Sequence, residues 1–427
     1  MPGATTSEPR EGAALPDPPA GVTVSPRTPP SVRGWCPHLF APMETGDGLL
    51  LRVKPFGNRI TAAQARLLAE IAPGPVELTN RGNLQLRGVT QPDALATPIV
   101  AASLADPDPG REGRRNIIAS PLMGDDPSLS PALPGWHAAL SAILAGSGPL
   151  PGKFGAVLDG GGVLPLAGVE SDITLRLAPD GGAVLHLPGL PLPGVTPAAL
   201  ARLTENFRAT GGRRLREALR LHGAGALLAG TGLAGLPAAP EAAPSPAPVG
   251  FHPYPGMARG AFGLAPPFGQ MNAAALRALA ELSKEFGDGT LRLTPWRAIL
   301  LAGVTRPAAL RAAAQGWITE PADPRLRIVA CPGSAGCASG QADTRADALA
   351  LLARGAVPER GLLHLSGCAK GCAHPGAAAA VLVAAPDGYA LLRHARAGDT
   401  PRRTGLTLAE AAAELESAGA AAERDTE

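Results

Sequence analysis

The chain has 427 residues, 45% hydrophobic and 17% charged, which at roughly 150 residues per domain leaves room for two to four domains with real cores. A net charge of +2 offers no electrostatic footprint for nucleic acid or an acidic membrane, and 3% aromatic content leaves few platforms for base stacking. No apolar run reaches the roughly 18 residues of a membrane span.

In chain order, residues 1–34 lack the apolar stretch of a signal peptide and read as a disordered Pro-rich arm. Structured sequence begins near Trp35 and opens a small unit over 35–100. There "LLLRV" reads as a strand, "TAAQARLLAEIA" as a helix behind a Thr cap, and "VELTNRGNLQLRGV" as two alternating strands turning at Arg81-Gly82. A larger unit follows over 105–235, with "RNIIASPLMG" near its start and "DITLRLAPDGG" further on. The Pro/Ala tract 236–250 reads as a stiff linker. A second small unit (251–315), a second larger unit (322–410) and a C-terminal tail (411–427) complete the chain.

The second half repeats the first. Pro-Phe-Gly stands at 55–57 and again at 267–269, each time before an Ala/Leu-rich helix. "LTNRGNLQLRGV" at 78–89 shares its frame with "LTPWRAILLAGV" at 293–304. In the larger units Ile117, Ala119 and Pro121 align with Ile328, Ala330 and Pro332, so Ser120 falls where Cys331 stands. "DITLRLAPDGG" likewise aligns with "AAVLVAAPDGY". Two copies make a duplicated pseudo-dimer, whereas a solenoid needs more.

Four of the five cysteines fall in two Gly-rich turns of the second larger unit, Cys331-x5-Cys337 and Cys368-x3-Cys372. An odd cysteine count and no export signal point to reduced thiols and a cytoplasmic location. Four thiolates suit zinc or an iron–sulfur cluster, and buried thiols in tight turns are the bland reading. Structural zinc favours shorter knuckles, and the flanking glycines leave backbone N–H groups free to meet sulfur.

This cysteine pattern resembles the signature of the nitrite and sulfite reductase family, over nearly all of the chain from about Trp35 to about Arg403. The resemblance implies an α+β fold of duplicated architecture, with two ferredoxin-like half-domains and two mixed α/β domains in a pseudo-twofold arrangement. It implies that Cys331, Cys337, Cys368 and Cys372 hold a 4Fe-4S cluster. It also implies a pocket for a carboxylate-rich tetrapyrrole, for which Arg is suited because its fork holds a carboxylate by two hydrogen bonds. The family positions matched here are Arg52, Arg81, Gln85, Arg115 and Lys153, with Asn83 and Arg87 as further candidates. In the second copy Arg81 and Gln85 become Trp296 and Leu300, so that copy is not the polar face.

Two departures bear on activity. The reductases commonly place a second lysine two residues after the first, and here that position is Gly155. The last turn reads "GCAKGCAHP", and with "GWCPHLFAPMETGDGLLLRV" it resembles one branch of the family, the precorrin-3B synthases. That branch implies precorrin-3A and dioxygen as substrates, meso hydroxylation with γ-lactone closure, and a non-haem iron beside the cluster. Cys36, His38 and His374 are candidate iron ligands by location only, and Lys370 reads as a cation beside the cluster. The glycines of "GAGALLAG" have the wrong spacing for a dinucleotide loop, so a separate NADH-linked reductase or ferredoxin is expected as electron donor. The competing readings are a sirohaem-dependent nitrite or sulfite reductase and a non-catalytic iron–sulfur electron carrier.

Overall fold

Local signals in the first small unit become structure where the sequence places them. A computed structural model describes residues 36–169, 171–235 and 245–424. The arm 1–34, Trp35 and linker residues 236–244 lie outside the described residues.

The first small unit comprises β1 (Met43–Thr45), β2 (Gly48–Val53), β3 (Arg59–Thr61), α1 (Ala62–Ile71), β4 (Val76–Leu78), β5 (Leu84–Val89) and α2 (Pro92–Ala101). The first larger unit has α3 (Pro109–Arg114), β6 (Ile117–Ala119), α4 (Leu133–Gly146), β7 (Ala156–Asp159), β8 (Ile173–Leu177), β9 (Ala183–Leu187), β10 (Leu190–Pro193), α5 (Pro197–Ala209) and α6 (Leu215–Leu228). The second small unit has β11 (Gly250–Pro253), β12 (Gly260–Leu264), β13 (Gln270–Met271), α7 (Ala273–Phe286), β14 (Thr290–Leu293), β15 (Ile299–Val304) and α8 (Pro307–Ala313). The second larger unit has β16 (Ile328–Ala330), α9 (Thr344–Ala353), β17 (Leu363–Ser366), β18 (Ala378–Ala385), β19 (Gly388–Ala395), β20 (Arg403–Leu406) and α10 (Leu408–Arg424).

Thr61 caps α1 in a reciprocal capping box with Gln64, and Asn272 caps α7 by accepting from the Ala275 N–H. Aligning these caps shifts the shared Pro-Phe-Gly by one residue. Gly57 and Asn58 are left-handed in the first copy (φ 62° and 53°), and Phe268 and Gly269 in the second (φ 55° and 72°). The repeated tripeptide is therefore out of register with the repeated geometry.

The two small units exchange strands. The sheet order β1-β2-β5-β4-β13 borrows β13 from the second copy, and β11-β12-β15-β14-β3 borrows β3 from the first. Gln270 pairs with Glu77, and Arg59 pairs with Arg292, as pseudo-twofold counterparts. α1 and α7 pack together over one continuous core that includes Leu51, Leu68, Leu84, Phe262, Leu276 and Leu301. Neither sheet is complete without the other copy.

The larger units share one topology. In each, three parallel strands (β6-β7-β8, β16-β17-β18) are extended by two antiparallel ones. The predicted alignment of Ser120 with Cys331 is visible in backbone detail. The Gly160 N–H donates to Ser120 Oγ at 2.8 Å, and the Gly367 N–H donates to Cys331 Sγ at 3.1 Å. A boundary at 410 falls inside α10, whose Ala411, Ala412 and Leu415 are buried in the core under β19, so that part of the expected tail is a packed helix. Among the described residues no helix is long and apolar enough to cross a membrane.

Candidate substrate pocket and cluster site

The cysteine turns sit at the ends of β16 and β17, where parallel strands deliver their loops to one side. The loops pack backbone to backbone. A Cβ added at Gly367 would lie 3.0 Å from Gly333 Cα, 3.2 Å from Gly340 Cα and 3.4 Å from Cys331 Sγ. Burial pushes the Cys372 thiol up, Cys368 adds to that, exposed Lys370 opposes it, and Cys331 and Cys337 push further. The four sulfurs thus share one electrostatic neighbourhood, with a single lysine as counter-charge. Among the described residues no three His, Cys, Asp or Glu side chains stand close enough for a single metal ion.

A buried polar network joins these turns to the first small unit. Arg87 donates to both Asp47 carboxylate oxygens at 2.9 Å and to the Gly336 carbonyl, and lies 3.7 Å from Glu77. Glu77 also accepts from Arg345 on α9 at 2.6 Å and from Gln85 at 3.3 Å, and Gln85 accepts from Arg52 at 2.8 Å. Arg87 is 4% exposed, and its bond to the Gly336 carbonyl ties the first small unit to the Cys337 turn. Gly46 fits against the backbone of Cys337 and Ala338, where a Cβ would meet Ala338 N at 2.6 Å.

Arg52, Arg81 and the Lys153 loop converge on Cys36. Cys36 lies within hydrogen-bonding reach of Arg52 and acts electrostatically on Lys54 and Arg81, and a Cβ at Gly152 would be 3.6 Å from its N–H. Burial, then Arg214, pushes the Arg81 guanidinium down, while Cys36 and Asp172 oppose. Arg214 donates to Asp172 at 3.1 Å and to the Lys153 carbonyl at 3.2 Å. The Lys153 side chain has no hydrogen bond or ion pair among the described residues, which leaves its ammonium available. Sequence reasoning missed Arg214, Asp172 and Lys54. Lys54 had a readable signal, two residues after Arg52 and directly beyond the end of β2; Arg214 had none.

Gly155 is where the pocket departs from the reductase pattern, and its neighbours explain the glycine. A Cβ there would lie 2.9 Å from Arg81 Nη1, 2.9 Å from Ser171 Oγ and 3.1 Å from the Asn116 carbonyl. Arg81 occupies the space that a longer side chain would need. In the second copy Trp296 packs beside Ile118, Val157 and Leu166, and Leu300 is fully buried.

Asn83 and Arg115 stand apart from that convergence and line a cavity of about 160 Å³ between the first small and first larger units. Arg115 pairs with Glu112 at 2.8 Å, donates to the Lys54 carbonyl and lies 3.7 Å over the Phe56 ring. Lys54 is 3% exposed and donates to the Glu112 and Gly113 carbonyls. Burial is the main cause that lowers it to about 8.

The three candidate iron ligands do not converge. His38 Nδ1 accepts the Phe40 N–H at 3.4 Å, and burial, aided by Lys54, holds the ring at about 4, hence neutral near pH 7. His374 lies in the other larger unit, 5.8 Å centroid to centroid from His364. His364 is completely buried and neither ring nitrogen has a partner.

Against known proteins, the nitrite/sulfite reductase ferredoxin-like half domain family matches residues 41–96 and 258–313. A precorrin-3B synthase from Sinorhizobium is 32% identical over 396 residues, covering 86% of this chain and 84% of that protein. A chloroplastic ferredoxin–nitrite reductase from Zea mays is 28% identical over 385 residues, covering 76% and 67%. The solved structure of Mycobacterium tuberculosis NirA aligns with a TM-score of 0.63 at 20% identity, covering 80% of this chain and 74% of that one, and shares the duplicated fold.

Proposed function

Because the chain belongs to the precorrin-3B synthase family, we propose that it hydroxylates precorrin-3A at a meso carbon with dioxygen, a ring acetate then closing to a γ-lactone. One oxygen atom enters the substrate and the other leaves as water, which requires two electrons and two protons from outside the substrate. A separate NADH-linked reductase or ferredoxin is the proposed electron source.

Cys331, Cys337, Cys368 and Cys372 would hold a 4Fe-4S cluster. The fit rests on the donor set: the other three thiols push Cys372 up while Lys370 opposes them, so the four need a cationic partner before they can ionise together. When bound, the cluster supplies single electrons; for the non-haem iron that the resemblance implies, the described residues present no ligand set, and no step is drawn through it.

The protein's part is binding and orientation. Arg52, Arg81 and Lys153 would seat peripheral carboxylates, with Arg81 held in place by Ser171 at 3.4 Å and Arg52 by Gln85 at 2.8 Å. The observation that carries the reading is Arg81 filling the space over Gly155. A pocket built to reduce a small oxyanion would use a cation with a free end there. Here the cation is a buried guanidinium in a place suited to a carboxylate of a large substrate.

The test is anaerobic purification followed by iron, sulfide and pigment analysis. Four cluster irons, four sulfides, one additional iron and no sirohaem, with turnover of precorrin-3A under dioxygen, is the expected result. Stoichiometric sirohaem with nitrite or sulfite reduction would restore the reductase reading, and zinc without sulfide would remove both.

A further inference from the structure

The turn between β14 and β15 is wedged between the two larger units. Trp296 packs on the first, beside Ile118 and Val157, and Arg297 reaches the second. Arg297 holds φ 58°, a left-handed conformation that a long side chain adopts rarely and at a cost. In the duplicated frame it stands where the first copy has Gly82, which takes the same conformation (φ 60°) without that cost. The second copy keeps the backbone of the first and places an arginine on it.

The side chain shows what the strained position delivers. Its stem lies against Gly269, where a Cβ would meet Arg297 Cδ at 2.9 Å, so the glycine makes room for it. Its Nη2 donates to the Ala373 carbonyl at 3.3 Å, directly after Cys372. Arg87 does the same for the other turn, through the Gly336 carbonyl before Cys337. The two differ in charge balance. Arg87 pairs with Asp47 and lies 3.7 Å from Glu77, and Arg345 also pairs with Glu77. Arg297 is half-buried and makes no ion pair among the described residues. Burial is the main cause that lowers its pKa, and Glu77 is the one carboxylate that opposes. Three guanidinium groups thus face two carboxylates, Asp47 and Glu77, and one positive charge is left over. That charge reaches across the turn. After burial and His374, Arg297 lowers the pKa of His364, the fully buried ring whose Cε1 would lie 3.6 Å from a Cβ at Gly371. Lys370 acts on Cys372 directly, but it is exposed, where water and salt screen it.

We infer that Arg297 is a positioning residue for the cluster: it holds the Cys372 turn and lends the site a positive charge that favours the reduced cluster. The inference rests on the cluster reading of the four cysteines and deepens it. The step concerned is the transfer of one electron from the external donor to the oxidised cluster. No bond forms or breaks in it, and Arg297 keeps its proton throughout. Reduction adds one negative charge among the cysteines, and a half-buried cation beside them stabilises that charge more than an exposed one does.

The test is a reductive titration of the full-length, anaerobically purified chain, poised with mediator dyes and read by electron paramagnetic resonance of the reduced cluster. Arg297→Gln is expected to lower the midpoint potential by about 59 mV, a tenfold shift in the reduced-to-oxidised ratio of a one-electron couple. Arg297→Lys keeps the charge and is expected to stay close to native. Arg297→Gly relieves the backbone, and it should lower the potential as far as Arg297→Gln with the thermal midpoint near native. Arg66→Gln removes an equal charge from an exposed site on α1 and should leave the potential unmoved. The signal comes from loaded chains alone, so partial loss of iron leaves the potential readable. An unchanged potential in Arg297→Gln, or an equal fall in Arg66→Gln, would overturn the inference and leave the cluster reading standing. A fall in Arg297→Lys as large as in Arg297→Gln would show that charge is not the cause, and would also overturn it. A native chain that binds no iron and no sulfide would remove the cluster reading, and this inference with it.

Discussion

At the scale of single residues, the decisive position is a glycine. Gly155 carries no positive φ, so a side chain there is excluded by neighbours and not by backbone strain. Gly155→Lys should displace the Arg81 guanidinium and destabilise the fold by about 1–3 kcal/mol, as overpacking does. Thermal unfolding and uroporphyrin titration should both fall; unchanged binding would mean that Arg81 does not hold the substrate. His364 makes a different prediction. Burial first, then His374 and Arg297, lowers its pKa to about 4 from 6.5. Between those values the unfolded chain binds a proton that the folded chain does not, so stability rises with pH across that window and is lost as pH falls through it. The effect is on the order of 3 kcal/mol. His364→Phe should flatten the slope of unfolding free energy between pH 4 and 6.5; the slope that remains belongs partly to His38, which is also held at about 4. An unaltered slope would show that the ring is not buried as the neutral form.

At the scale of elements, the two cysteine turns act as one unit because glycines let their backbones touch. Gly367→Ala puts a methyl group against Gly333, Gly340 and Cys331 Sγ. Iron and acid-labile sulfide should drop below half of native while far-ultraviolet circular dichroism is retained. Full cluster content would mean that the turns tolerate separation. The first larger unit gives the contrast: Ser120 keeps the hydrogen-bond position of Cys331, but no cysteine lies in its loops. These turns were legible from spacing alone, since four thiols in short Gly-rich loops have few uses. The clamp behind them was not. Arg87 was a further candidate for the pocket, and the structure gives it Asp47, Glu77 and Gly336 as partners. Alternation assigns a face to a side chain and says nothing of what stands opposite.

For the whole molecule, strand exchange makes the halves interdependent. β3 completes the second small sheet and β13 the first, with Ile60 and Leu291 buried in the shared core. Residues 1–240 and 245–427 expressed separately should each be insoluble or molten, and should recover a folded complex when co-expressed. Two independently folded halves would refute the shared core. The same interdependence places the second larger unit against the sheet of the first small unit, since Arg345 on α9 reaches Glu77 across 268 positions of sequence.

The sequence by itself determined the elements, the duplication and the cysteine turns, because caps, alternation and ligand spacing are local and each is set within a few residues. It also marked Arg52, Arg81 and Lys153, through motifs that stay contiguous. Tertiary structure alone decided that Arg214 and Asp172 join them, that Asn83 faces a separate cavity, and that Arg81 fills the room over Gly155. Those outcomes depend on which surfaces meet when four sheets pack, and the free energy of that meeting comes from side chains hundreds of residues apart, which no local pattern records.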